Sequence, residues 1–350
     1  MATETVMQRE KRRAETAEWK AIVAEYQKPS LIRASWQIAD SMGAYLLCWV
    51  AMYFTLPISW WLTAPLAVLS GGLLVRIFII FHDCGHGSFF KSRRANDICG
   101  YVCSVLTFTP YYHWRWQHAL HHASAGDLDN RGAGDIWTMT VDEYLKSSPR
   151  RRLAYRLVRN PFIMFVVGPY YLFLISQRFP APNANKRERN SVMFVNISTL
   201  LMVAGMCYLV GPWNYLLIQI IAIGVSGFAG VWLFYVQHQF EDAYWEHTEN
   251  WDYTAAALKG SSFYKLPKVL QWFSGNIGFH HIHHLSPRIP NYHLERCHKS
   301  HDLFRQVKPI TLLTSLKSAN CHLWDESSKK LISFRQMRKQ LRGKRHQKAA

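Results

Sequence analysis

Three short stretches carry most of the chemistry this chain could do. His82 and His86 frame His-Asp-Cys-Gly-His, an HxxxH pattern. His118, His121 and His122 form one HxxHH, and His280, His283 and His284 form another. On a helix, residues four apart share a face, so each HxxHH offers up to three imidazoles within about one and a half turns. A single HxxxH arises readily by chance, whereas two HxxHH patterns in the same chain point to one shared metal region. A ninth histidine, His238, stands just after a long apolar run and emerges at the level of His82 and His86. Nine imidazoles suit two metals and exceed what one tetrahedral zinc needs. Imidazole suits Zn, Cu, Fe and Ni, and two irons with open positions could bind and activate O2. The repeated Glu-x-x-His helices of soluble carboxylate-bridged di-iron bundles are absent. Asp83, Asp127, Asp135, Glu241 and Asp242 are candidates to orient ligand imidazoles, and each also reads as an ordinary surface acid.

Four apolar segments must position these histidines: Ser41 to Pro57, Leu62 to Phe81, Ser191 to Val210 and Trp213 to Val236. Each is close to the roughly 20 residues that cross a bilayer as a helix. They pair into two hairpins through uncharged links at Leu56 to Trp61 and Gly211 to Asn214. Two further stretches, Ile98 to Tyr112 and Pro161 to Ser176, are broken by Pro and polar groups and read as interfacial or protein-covered. No Lys or Arg falls between Arg33 and Arg76 or between Arg189 and Lys259, while the N-terminal segment, Arg150 to Arg159, Lys186 to Arg189 and the C-terminal tail are basic. By the positive-inside rule, both termini and the histidines face the cytoplasm, and Trp60, Trp61 and Trp213 mark the opposite interface. A soluble protein with buried helical hairpins gives no reason for that charge asymmetry. Arg76, inside the second segment, fits a helix that projects to the inner headgroups.

The formal net charge of +18 would suit nucleic acid or an anionic membrane surface. No zinc-finger spacing, basic-region heptad or RNA-binding signature supports nucleic acid. Seven cysteines without a CxxC pair exclude a disulfide framework and an iron–sulfur site, and read as scattered reduced thiols. The N-terminus has no secretory signal pattern, and Glu15 to Tyr26 reads as a peripheral helix. The expected organisation is a basic N-terminal segment (1–40), a membrane and catalytic domain (41–310) and a basic C-terminal tail (311–350). The fold class is all-α integral membrane: four transmembrane helices in two hairpins under a cytoplasmic helical cap. The expected location is a bacterial inner membrane.

The boxes with their flanks, His-Asp-Cys-Gly-His-Gly-Ser-Phe-Phe, His-Ala-Leu-His-His and Gly-Phe-His-His-Ile-His-His-Leu-Ser-Pro-Arg-Ile-Pro-Asn-Tyr, resemble the three histidine boxes of the membrane fatty acid desaturases. Ser88 to Phe90 and Pro287 to Tyr292 resemble the omega-6, or Delta12, acyl-lipid branch. The resemblance covers about Ser41 to Cys297. It implies a di-iron centre held by His82, His86, His118, His121, His122, His280, His283 and His284, with His238 matching the extra histidine after the last span. In the animal branch an Asn four residues before that histidine holds a metal through water. Phe234 stands there in this chain, which leaves the contact to Gln237 or a water.

The implied activity is O2-dependent insertion of a double bond into a lipid acyl chain, with two electrons from outside. No haem, nicotinamide or flavin fingerprint is present, so a separate carrier of ferredoxin or cytochrome type is expected. Regioselectivity needs an apolar tunnel, with Phe108 to Trp116 and Trp232, Phe234 and Tyr235 as candidate walls. His113, His247, His281, His293, His298, His301, His322 and His346 are assigned structural or surface roles. Hydroxylation, ketolation or acetylenation could run on the same scaffold. A histidine-rich metal transporter or sensor would instead place its histidines within the spans or in a loop.

Overall fold

The computed structural model describes residues 18–132 and 134–349, with side chains to residue 343. Among the described residues four helices are long and apolar enough to cross a membrane: Leu31–Thr55, Trp60–His86, Lys186–Val210 and Pro212–His238. Their boundaries follow local chemistry. Ser30 accepts from the Arg33 N–H at the start of the first, and Ser59 accepts from the Trp61 N–H at the start of the second. Asn185 and Glu188 form a reciprocal capping box on the third, and Pro212 opens the fourth. The second ends where Gly87 takes φ 70°, a left-handed cap that a side chain would strain.

The spans run longer than apolar periodicity indicates, mostly at the end that carries the chemistry. A 27-residue helix is about 40 Å long, roughly 10 Å more than the hydrocarbon core of a bilayer. The second and fourth spans both have 27 residues and run parallel, so His82, His86 and His238 emerge together at one end. The second span is the central one. In its most apolar stretch 61 % of residues are buried, against 22, 17 and 28 % for the first, third and fourth. It packs on the first and fourth spans. Gly71 permits the closest approach, since a Cβ there would lie 2.7 Å from Val225 Cβ.

Arg76 is held inside the protein. Its guanidinium meets Asp40 at 3.0 Å and Ser41 at 2.9 Å, donates to the Trp272 carbonyl and stacks on the Trp272 ring. Asp40 and Ser41 sit in a widened π-type turn, Ala39–Gly43, that bulges the first span toward the second. The second helix does continue past Arg76 for ten residues, as a projecting helix requires.

Of the two broken stretches, 98–112 contributes to helices Arg93–Leu106 and Tyr111–Ser124. The other forms two π-type turns, Ile163–Val167 and Tyr171–Ile175, bent by 62° from the basic helix Pro149–Val158. It is clamped to the fourth span, where the Tyr170 hydroxyl donates to the Ile220 carbonyl at 2.7 Å.

The cap is mainly short helices. The 18–26 helix docks on it through buried Trp19 and Val23; residues 15–17 of the expected peripheral helix lie outside the described residues. The C-terminal segment supplies Leu323–Asp325 and Lys330–Ile332, which form a small sheet with Met139–Thr140. Pro309–Thr311 pairs in parallel with Phe263–Lys265. These strands fasten the loops on either side of the histidine helices.

Candidate metal centre

The second span carries His82 and His86 on its last turns, helix Tyr111–Ser124 carries the second box, and the short helix His280–Leu285 carries the third. His238 is the last residue of the fourth span. Packing brings all nine singled-out imidazoles into two adjoining groups that could each hold a metal ion. One is His82, His86, His118, His122 and His283; the other is His121, His238, His280 and His284. Within each group the candidate ligand atoms lie within 4.8 Å of one another.

The spacing fits shared ions. His118 and His122 approach Nε2 to Nε2 at 3.1 Å, and His122 and His283 at 3.0 Å. In the other group His121 and His238 are 3.2 Å apart, and His238 and His280 are 2.9 Å apart. Two imidazole nitrogens at right angles, each about 2.1 Å from one ion, lie about 3.0 Å from each other. His86 Nε2 and His284 Nε2 are buried without a hydrogen-bond partner among the described residues, which a bound ion would remedy. Burial, and after it the neighbouring imidazoles, hold His118, His122, His280, His283 and His284 well below the ordinary histidine range. They are therefore neutral, the form that donates a lone pair to a metal.

Two of the five candidate carboxylates touch these rings. Asp83 Oδ1 is 3.0 Å from His82 Nδ1, and Asp135 Oδ1 is 2.5 Å from His121 Nδ1. Each bond fixes a ring orientation and leaves Nε2 free for the metal. Asp127 instead binds Asn130 and Thr248, and Glu241 and Asp242 pair with Lys330. The His238 Nδ1 faces the Gly260 carbonyl at 3.3 Å. Sequence reasoning missed Asn291, whose backbone N–H and side-chain amide both donate to Asp83 Oδ2, at 2.6 and 2.8 Å. Its signal was present in the Pro-Arg-Ile-Pro-Asn-Tyr flank.

Phe234 packs its ring on His121 and His238, with centroids 5.1 and 5.3 Å apart. The Gln237 amide nitrogen is engaged by the Ile277 carbonyl at 2.9 Å. The other histidines stay out of both groups. His113 pairs with Glu188, His247 with Asp129 and Glu326, and His281 with His298. His301 meets Glu18, His293 packs edge-on against Tyr292 and His322 stacks on Phe334. The His346 side chain lies outside the described residues.

Beside the histidines lies an apolar cavity of about 410 Å³, within the roughly 300–1,000 Å³ of small-molecule sites. Phe78, Phe108, Trp114 and Phe234 line it, and His82, His118 and His280 open onto it, so it touches both groups. Trp232 and Tyr235 turn away: both pack on Phe165, and the Tyr235 hydroxyl is tied to Arg159 and the Cys321 carbonyl. Where the cavity meets the bent segment sits Gln177. It is 7 % exposed, and its amide oxygen has no partner.

Four helices long and apolar enough to cross a membrane, two imidazole clusters and an apolar cavity beside them fit one class: membrane oxidoreductases that act on hydrocarbon chains. The comparisons with known proteins agree. A family model described as fatty acid desaturase matches residues 59–309. A Bacillus subtilis fatty acid desaturase is 49 % identical over 313 residues, 89 % of each chain. The sn-1 oleoyl-lipid 12-desaturase of Synechocystis is 27 % identical, covering 81 % of this chain and 79 % of its own. A ferredoxin-named sn-1 acyl-lipid omega-3 desaturase of Nostoc is 28 % identical, covering 83 % and 79 %. The chain belongs to the fatty acid desaturase family.

Proposed function

We propose that this protein is an O2-dependent desaturase that inserts a cis double bond into the acyl chain of a membrane lipid, of the Delta12 (omega-6) type. The observation that carries the reading is the cavity: a greasy slot, sized for a small-molecule ligand, opens onto imidazoles of both metal groups. The Delta12 assignment rests on the Ser88 to Phe90 and Pro287 to Tyr292 flanks and on the likeness to the Synechocystis 12-desaturase.

The nine histidines would hold two iron ions, five imidazoles toward one and four toward the other. Bound iron supplies the oxidising power that an unactivated C–H bond demands and that no side-chain acid or base has. Overall, –CH2–CH2– plus O2, two electrons and two protons becomes –CH=CH– plus two waters. The protein's share is placement and exclusion. Phe78, Phe108, Trp114 and Phe234 hold the chain and keep bulk water from the reacting carbons. Asp83 and Asp135 fix the tautomers of His82 and His121.

The two electrons come from a separate carrier of ferredoxin or cytochrome type; the ferredoxin in the Nostoc relative's name favours the first. The basic segments beside the spans support a cytoplasmic side for both termini and the metal centre, and the bacterial relatives support the inner membrane of a bacterium.

The test is fatty-acid profiling by gas chromatography–mass spectrometry, in a host of saturated and monounsaturated chains that co-expresses a donor. A new diene unsaturated at carbon 12 is the expected product. A new monoene would keep desaturation and remove the Delta12 assignment. A hydroxy or keto lipid would move the chain to the oxygenase reaction on the same scaffold.

A further inference from the structure

On the other side of Asp83 from the metal groups lies a second cavity, of about 320 Å³. It is framed by the start of the first span, by Arg76 of the second, and by helices Lys268–Phe273 and Asn291–Ser300. Three cations line it, Arg33, Arg76 and Lys268, against one carboxylate, Glu295. Arg76 is committed to Asp40, and Lys268 meets Glu295 at 2.7 Å. The Arg33 guanidinium has no ion-pair partner among the described residues, and its charge bears on Tyr292 and His293. Gln37, only 3 % exposed, also lines the cavity, and neither its amide oxygen nor its amide nitrogen has a hydrogen-bond partner among the described residues. A buried amide left with both ends unmet is a costly arrangement, and native proteins rarely keep one without a ligand or water to satisfy it.

The rim of the cavity identifies the side from which a ligand comes. Leu31, Ile32 and Trp36 at the start of the first span are 71, 83 and 71 % exposed, an apolar cluster at the end of a helix long and apolar enough to cross a membrane, where lipid would cover it. Trp36 belongs both to that cluster and to the cavity wall. An unpaired guanidinium, an unmet buried amide and an excess of cations, opened toward the lipid headgroup level, suit an anionic phosphate ester.

We propose that this cavity binds the phosphate of an anionic membrane phospholipid. Arg33 and the Gln37 amide nitrogen donate to the phosphate oxygens, Lys268 and Arg76 add charge, and the glycerol end leaves over Trp36. The site is linked to the histidines through two residues, Asn291 and Asp83. Asn291 lines the cavity, and its two donors clamp Asp83, which in turn holds His82. An occupied site therefore steadies the first histidine box from behind.

The experiment uses the full-length holoprotein in detergent, stripped of co-purified lipid. Native mass spectrometry and thermal unfolding are read with phosphatidylglycerol, phosphatidylcholine or inorganic phosphate added at equal phosphate concentration. The expected result is one retained phosphatidylglycerol per chain and a raised melting temperature, with neither from phosphatidylcholine. Retention should fall at least tenfold in R33Q and in Q37L. Q37L supplies an internal control: removing the unmet amide should stabilise the lipid-free protein while weakening its response to lipid. A residue with a purely structural role would not move the two readouts in opposite directions. Equal retention by wild type and both variants would overturn the site. Protection by inorganic phosphate equal to that by phosphatidylglycerol would assign the site to free phosphate and overturn the lipid. Because the readout is binding, the result is independent of whether the protein desaturates acyl chains.

Discussion

The two histidine groups differ in what holds them. The five-imidazole group stands on regular helix: His82 and His86 on the central span, His118 and His122 on one face of another helix. Its anchoring carboxylate, Asp83, belongs to the same span and is clamped by two donors from Asn291. The four-imidazole group also rides on helices, but its orienting partners lie in loops. His121 is fixed by Asp135, next to Gly132 and Gly134 with φ 112° and 73°, and His238 faces the Gly260 carbonyl. Loop anchors open more readily than helix anchors. The group with fewer ligands also has the softer frame, so it should be the first to lose its metal and the one with more room for an exogenous ligand.

The largest expected effect separates the groups directly. His284→Ala leaves three imidazoles in the smaller group and should abolish desaturation, with the protein still in the membrane and about one of two metals lost. His86→Ala leaves four in the larger group and should keep more metal. Metal content per chain by plasma mass spectrometry, beside activity, checks both. Full activity in His284→Ala would remove that residue from the centre, and equal metal loss in the two variants would erase the distinction.

Much of this comparison was legible in the sequence. Box spacing, the four apolar segments and the basic flanks locate all nine imidazoles, because helical periodicity and membrane insertion are local effects. What local pattern could not give was partnership across the chain. Asp83 finds Asn291 208 residues away, and Arg76 finds Asp40 36 residues back across a hairpin. The five candidate carboxylates look alike in sequence, yet only Asp83 and Asp135 reach a ring, since loop conformation decides the others. Trp232, Phe234 and Tyr235 are aromatic alike, and the sequence offers all three as tunnel walls. On a helix adjacent residues diverge by about 100°, and Trp232 and Tyr235 face Phe165 instead.

A smaller effect compares the anchors. Losing a partner behind a metal-bound histidine typically costs roughly 10–100-fold in affinity or activity. Asp83→Asn should lie at the upper end of that range. Its amide keeps only one acceptor oxygen, so either the two Asn291 donors face an NH2 or the His82 Nδ1–H does, and one side of the Asn291–Asp83–His82 relay is lost. Asp135→Asn can still accept from His121 Nδ1 and should lie at the lower end. Iron titration of the two variants decides the order. A greater loss in Asp135→Asn would mean that the loop, and not the helix, is the critical support.

The smallest effect separates acid loss of metal from acid loss of fold. Protonation strips metal from imidazoles, so both groups should empty as the pH falls. Histidines elsewhere weaken the fold over the same range. His322 stacks on Phe334 in the C-terminal clip, with ring centroids 4.6 Å apart. Burial, helped by Arg159, pulls it from 6.5 down to about 4. Between those values the unfolded chain binds a proton that the folded chain does not. Its contribution to stability is therefore complete above pH 6.5, declines as the pH falls toward 4, and changes no further below that. His322→Phe keeps a ring against Phe334 and removes the titration. Between pH 7 and pH 5 its melting temperature should drop less than that of the wild type, by on the order of 2 °C, while metal loss follows the wild-type curve. An identical drop in the two proteins would place the acid sensitivity in the histidine groups themselves.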